Sequence, residues 1–114
     1  MARSLNFRDF AQPALHITMN DAAETELTLT SPSVELVERL EANKDTIVAT
    51  FTRGDRESVA EIWSFAADLI SCNREGRQVT PEDLKGVYCM SYPMLFAFFT
   101  EYFNFVSEIE NAKN

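Results

Sequence analysis

The sequence predicts an α+β fold, mainly α, in which an N-terminal β-hairpin precedes a small bundle of amphipathic helices. Two observations carry this prediction. Apolar and polar residues alternate over residues 15–30, and apolar residues then recur at helical spacing as far as residue 110. The chain has 114 residues, 46% of them hydrophobic and 25% charged, which suits one globular unit. We therefore predict a single domain over residues 1–114.

The hairpin is predicted at about residues 15–30. A polar stretch at residues 20–24 separates its two strands and supplies the turn. One face of the strands is apolar (Leu15, Ile17, Met19, Leu27, Leu29) and the other is polar (His16, Thr18, Glu26, Thr28, Thr30). Because a lone hairpin is only marginally stable in water, its apolar face is expected to lie on the helices.

The first helix is predicted at about residues 32–52. Ser31 suits an N-cap and Pro32 suits the first helical position. The stripe at helical spacing comprises Leu36, Val37, Leu40, Ile47, Val48 and Phe51. The polar residues 43–45 indicate a break in this helix. Residues 46–52 are also rich enough in β-branched side chains to form a strand, and the sequence leaves that alternative open.

Two further helices are predicted at about residues 56–73 and 81–86. Asp55 suits the cap of the longer one, and Gly76 suits a left-handed closing residue after it. Its apolar stripe comprises Val59, Ile62, Trp63, Ala66, Leu69 and Ile70. Thr80 suits the cap of the shorter helix, whose first turn is acidic, and Gly86 indicates an early end.

The last helix is predicted at about residues 92–110 and is rich in aromatic residues. Its main apolar stripe comprises Leu95, Phe98, Phe99, Tyr102, Phe105, Val106 and Ile109. Phe96 and Phe103 lie together on the flank of this stripe, which widens the apolar arc to about 180°. We predict that Phe96, Phe103 and the neighbouring Met94 contribute to a partner-binding surface. A place in the core is the alternative for the two flanking rings.

The residue types present argue against catalysis. His16 is the only histidine, lies on the polar face of a predicted strand and has no nucleophile in a shared motif, so we expect it to be solvated. Glu35, Glu38 and Glu41 fit a solvated helix face better than a metal site. Cys72 and Cys89 are isolated and are expected to be reduced, buried thiols. We predict a protein that is not an enzyme, with no catalytic residue, no metal and no cofactor.

Charge and hydropathy limit the classes of partner. Ten Lys and Arg residues against eighteen Asp and Glu give a net charge of −8, which argues against nucleic acid as a ligand. The N-terminus has no apolar core of signal-peptide length. The most apolar stretch, residues 92–106, is interrupted by polar residues and is shorter than the ~20 residues that span a bilayer. We expect no membrane association and a cytoplasmic location.

The order of these elements resembles the small tail assembly chaperones of long-tailed phages and prophages of Gram-positive bacteria. The segments that carry the resemblance are 28–32 (TLTSP), 61–73 (EIWSFAADLISCN), 79–84 (VTPEDL), 98–109 (FFTEYFNFVSEI) and 111–114 (NAKN). The likeness is one of layout and spacing, covers about residue 15 to the end, and includes no catalytic signature.

The resemblance implies a small, mainly helical protein of the bacterial host cytoplasm that takes part in tail assembly. It implies the tape measure protein as partner, with the major tail tube protein as a second candidate, and it is compatible with a homo-oligomer. The family has no catalytic residue to carry over to this chain.

The alternative function is that of an acidic inhibitor that imitates DNA and binds a host DNA-binding protein. Such a decoy needs carboxylates in a regular surface array, whereas the acidic residues here are spread along amphipathic helices. Salt-sensitive binding favours the decoy, and binding dominated by apolar contacts favours the chaperone.

Overall fold

The computed structural model describes residue 3, residues 13–53 and residues 56–111. In these ranges an antiparallel hairpin is followed by helices, so the predicted α+β, mainly α, fold is confirmed. The elements are β1 (Leu15–Thr18), β2 (Glu26–Leu29), α1 (Val34–Arg53), α2 (Arg56–Ile70), a short π-helix (Asp83–Val87) and α3 (Tyr92–Asn111). Asp55, the predicted cap of α2, lies outside the described residues.

The hairpin has the predicted strands, and its turn is closed by Asp21. The Asp21 carboxylate accepts hydrogen bonds from the Thr25 hydroxyl at 2.6 Å and from the Thr25 N–H at 2.8 Å. The bond from the Thr25 hydroxyl, followed by that from its N–H, lowers the pKa of Asp21. The carboxylate therefore has a structural role in the turn. His16 lies on the exposed face, as expected, with Nδ1 3.2 Å from the Thr28 hydroxyl.

The outer edge of β2 is covered by the chain that follows α2. Arg74 N–H donates to the Thr28 carbonyl at 2.8 Å, and Thr28 N–H donates to the Glu75 carboxylate at 2.8 Å. Thr30 N–H reaches the Cys72 carbonyl at 3.1 Å. The bond from Thr28 N–H lowers the pKa of Glu75. These bonds attach the hairpin to the end of α2 and protect one of its two edges.

Helix α1 is continuous, so both the predicted break and the strand alternative are wrong. The Asn43 amide donates to the Arg39 carbonyl at 2.8 Å, and the Thr50 hydroxyl donates to the Thr46 carbonyl at 2.8 Å. Side chains expected to interrupt the helix thus bond within the preceding turn. The predicted start is also early, because α1 begins at Val34 and its cap is Ser33, whose hydroxyl accepts the Leu36 N–H at 3.2 Å.

Helix α2 ends at Ile70, earlier than predicted, and Gly76 does not close it. The Asn73 amide takes over at the helix end, donating to the Ile70 and Arg77 carbonyls and accepting the Arg77 N–H, each at 2.8 Å. Gly76 does adopt a left-handed conformation, at φ 72°, but within the turn that follows. The Asn73 side chain, acting as donor and acceptor, thus takes the place of the backbone closure that was predicted at Gly76.

Ser71 links the end of α2 to the next segment. Its hydroxyl lies 2.7 Å from the Ala67 carbonyl oxygen and accepts the N–H of the buried Val79 at 2.9 Å. We expect Ser71→Ala to lower the free energy of unfolding by about 1–2 kcal/mol, since the Val79 N–H loses its acceptor. Urea unfolding measures this loss. Ser64→Ala, an exposed site on the same helix, is the matched control and should stay within about 0.5 kcal/mol of the parent.

The short helix after Thr80 begins with a reciprocal cap. Thr80 N–H donates to the Asp83 carboxylate, and Asp83 N–H donates to the Thr80 hydroxyl, both at 3.1 Å. Tyr88 N–H bonds to the Asp83 carbonyl at 2.9 Å, which makes the turn a π-helix. The predicted cap is therefore confirmed, and the helix is as short as Gly86 indicated.

The core lies where the apolar face of the hairpin meets the stripes of α2 and α3. Trp63 is buried, as its place in the predicted stripe of α2 indicated, and Phe65 is buried as well. The largest side chains that are almost fully buried are Leu27, Leu29, Leu40, Leu69, Ile70, Leu84, Leu95, Phe99 and Tyr102. The hairpin thus gains from the helices the burial that it lacks on its own.

Candidate protein-interaction site

Helix α3 presents its predicted stripe to the core. Ser91 caps the helix, with its carbonyl accepting the Leu95 N–H at 3.0 Å and its hydroxyl accepting the Met94 N–H at 3.4 Å. The main stripe is buried from Leu95 to Val106, and Ile109 is partly buried. Ala97, Thr100, Asn104 and Glu108 on the opposite side are exposed. This orientation decides which flanking side chains reach the surface.

Phe96 lies at the surface, with 50% of the residue exposed. Its ring packs edge-on against Phe51 of α1 at a centroid distance of 5.0 Å. The two rings, with Thr52, Tyr92 and Pro93, line an open cleft of about 320 Å³, which we call the aromatic cleft. The Tyr92 hydroxyl donates to the Thr50 carbonyl at 3.3 Å and fixes that wall. A large apolar ring is therefore held at the surface by packing against Phe51.

Phe103 is partly buried between α3 and α1. Its ring centroid lies 6.5 Å from that of Phe99 and 5.4 Å from the Lys44 ammonium nitrogen. The ring packs against the core, and Lys44 lies over it. Phe103 is therefore partly a core residue, which is the alternative that the sequence left open. It offers less surface to a partner than Phe96 does.

Met94 is 40% exposed and lies on the other side of α3. At 100° per residue its side chain is about 160° from that of Phe96 around the helix. It lines a second open groove, of about 510 Å³, between β1 and α3, which we call the β1–α3 groove. The structure thus separates Met94 from the two phenylalanines and does not bring the three predicted residues together on one surface.

The β1–α3 groove is a feature that the sequence reasoning missed. Residues 15–20 form one wall, Met94, Ala97, Phe98 and Glu101 of α3 form the other, and Tyr88 and Met90 complete it. The spacing of Met90 and Met94 was the available signal, because methionines near an apolar flank are common in adaptable binding surfaces. That signal does not indicate which strand lies beside α3.

In the described ranges, no group of three or more His, Cys, Asp or Glu side chains could hold a metal ion. Glu35, Glu38 and Glu41 are exposed, as expected. Both cysteines are free thiols, but only Cys72 is partly buried, where burial raises its pKa. Cys89 is exposed, so the expectation of a buried thiol is wrong there, because residue 89 lies in the loop before α3.

In the part of the chain that the structure describes, no helix has the length and hydropathy to span a membrane. Comparisons of the chain with protein-family models, with curated proteins and with solved structures give no match. The features that bear on function are therefore the resemblance in layout and the two apolar surfaces that flank α3.

Proposed function

We propose that this chain is a tail assembly chaperone of a long-tailed phage or prophage and binds the tape measure protein while the tail is built. The observation that carries the proposal is Phe96, a half-exposed phenylalanine held on a cleft of other aromatic rings. Exposed apolar surface of this kind is typical of interaction sites. The layout of residues 15–114, which resembles that family, supports the same assignment.

The physical basis is the chemistry of the expected client. A long helical protein that has not yet assembled exposes apolar stripes, which phenylalanine and methionine cover with adaptable contacts. The net charge of −8 opposes self-association of the chaperone and favours client segments that carry basic residues. Apolar contact then supplies most of the affinity, and charge selects the segment.

The test is co-purification of the chain with the tape measure protein of the same phage genome. Phe96→Ser is expected to weaken the complex by about tenfold or more, the loss typical of an aromatic residue at the centre of an interface. Val48→Ser is the matched control, because Val48 is also 50% exposed and lines neither the aromatic cleft nor the β1–α3 groove. Thermal unfolding of both variants checks that the fold is unchanged.

Salt dependence separates this proposal from the DNA-imitating inhibitor. Chaperone binding should change little with added salt, since apolar contacts dominate it, whereas a decoy should lose its partner steeply. Equal recovery of the tape measure protein with Phe96→Ser and with the parent chain would contradict the proposal. So would tight, salt-sensitive binding to a DNA-binding protein.

A further inference from the structure

We infer that the β1–α3 groove binds an extended polypeptide segment, apolar in its centre and basic at its ends, which pairs with the outer edge of β1 as a third strand. This deepens the proposed function and depends on it for the source of the segment. The pairing itself follows from the geometry of the hairpin and can be tested with a synthetic peptide.

The outer edge of β1 carries backbone groups oriented for pairing. Thr28 directs its N–H and C=O away from β1, since both bond to the segment after α2. His16 is the register partner of Thr28, so this is a pair without mutual hydrogen bonds, and the His16 N–H and C=O point to the outer edge. Thr18, two residues further on, has the same orientation.

The two edges of the hairpin differ in the hydrogen bonds that they make. The Thr28 groups on the β2 edge are satisfied by Arg74 and Glu75. Among the residues described, no bond reaches the outward N–H or C=O of His16 or Thr18. An edge with available donors and acceptors is a template for an added strand.

The groove runs along this edge. Side chains of a strand alternate between faces, yet all four consecutive residues of β1 line the groove, followed by Met19 and Asn20. Both faces can contribute only where the strand presents its edge. Alongside the edge, the groove is apolar (Leu15, Ile17, Met90, Met94, Ala97, Phe98). A segment paired with β1 would therefore place alternate side chains against apolar surface of α3.

Charge favours a basic segment of another protein as the partner. One acidic side chain, Glu101, is among the described residues that line the groove, and it is exposed. The chain as a whole carries −8, so a second copy would bring the same excess of negative charge to the contact. A segment with Lys or Arg at its ends complements both Glu101 and the net charge.

The test measures binding of a fluorescent peptide of alternating isoleucine and threonine with two lysines at each end, by anisotropy, to the full chain. Thr18→Pro removes the outward N–H and places the proline ring on the edge, so binding is expected to weaken about tenfold. Thr18→Val, which keeps the N–H, is the matched control and should bind like the parent. Circular dichroism of both variants checks the fold.

A second pair of probes remains informative if Thr18→Pro does not fold. Two versions of the peptide carry N-methyl groups on one or the other set of alternate amides. Only one set can face β1, so one version should lose binding at least tenfold and the other should keep it. Equal binding of the two versions overturns the inference, and so does tighter binding of an amphipathic helical peptide of the same charge.

Two other results would also overturn it. A dimer in light scattering that Thr18→Pro dissolves would make a second copy the occupant. If the peptide binds only to a variant that carries both Phe7→Ser and Phe10→Ser, the chain's own N-terminal segment is the occupant of the groove. The fates of the two proposals are distinguishable: a tape measure complex without peptide binding removes this inference alone, and peptide binding without that complex removes the proposed function alone.

Discussion

Phe99→Ala is expected to lower the free energy of unfolding by about 3–5 kcal/mol. Phe99 is 2% exposed and lies at the centre of the aromatic cluster on α3. Its ring is 5.4 Å from Phe98, 6.1 Å from Phe51 and 6.2 Å from Phe65, measured between centroids. Truncation removes contacts with α1, α2 and α3 at once and leaves a cavity that the surrounding helices cannot fully close.

The matched control is Phe96→Ala, the same truncation three residues earlier on α3. Since Phe96 is half-exposed and keeps contact mainly with Phe51, the loss should be about 1 kcal/mol. Urea unfolding followed by far-ultraviolet circular dichroism gives both values. Similar losses for the two variants would show that the burial assigned to α3 is incorrect.

Tyr102→Phe is expected to raise the free energy of unfolding by about 1–3 kcal/mol. Tyr102 is fully buried, and within the described residues its hydroxyl has no hydrogen-bond partner. The ring itself packs 5.4 Å from Phe98 and 5.6 Å from Phe105, and phenylalanine retains those contacts. The substitution thus removes an unsatisfied polar group at almost no cost in packing.

Tyr102 also makes the free energy of unfolding depend on pH in the alkaline range. Burial raises the pKa of the Tyr102 phenol well above its usual value of 10.0, and nearby Cys72 adds to the shift. Above about pH 10 the unfolded chain releases this proton while the folded protein retains it. Ionisation of Tyr102 therefore leaves the free energy of unfolding unchanged below about pH 10 and lowers it as the pH rises above that value.

Unfolding midpoints between about pH 8 and pH 11 test this dependence. The parent should lose stability more steeply than Tyr102→Phe over this range, because the other tyrosines are common to both proteins. Parallel curves would show that Tyr102 ionises equally in the folded and unfolded states. A less stable Tyr102→Phe protein would show that the hydroxyl has a partner.

Local sequence signals misjudged α1, and the reason is physical. Asn43 and the threonines after it have low helix propensity, which predicted a break or a strand. In the structure their side chains bond to carbonyls one turn earlier, and Leu40 and Ile47 are buried on the same face. Burial of an amphipathic face outweighs a propensity difference of a few tenths of a kcal/mol per residue.

The predicted binding residues show the same division between sequence and structure. Helical periodicity correctly placed Phe96 on the flank of α3, but it also grouped this ring with Phe103 and associated both with Met94. Phe103 packs against Phe99 with Lys44 over its ring and is partly buried, whereas Phe96 contacts Phe51 and still keeps half of its surface exposed. Exposure of a flanking ring depends on which side chain the next helix places over it.

By itself the sequence determined the hairpin, α2, α3 and most core-facing positions of the helices, because periods of 2.0 and 3.6 residues are local properties of the backbone. It also determined the acidic character of the surface. It did not determine that α1 is continuous or that Val48, a member of its predicted stripe, is exposed. Only the tertiary structure decided that β1, with the outer edge of the hairpin, lies beside α3, and that the two flanks of α3 open into separate clefts. These features depend on how residues distant in the chain are arranged in space, which the period of a single segment does not encode.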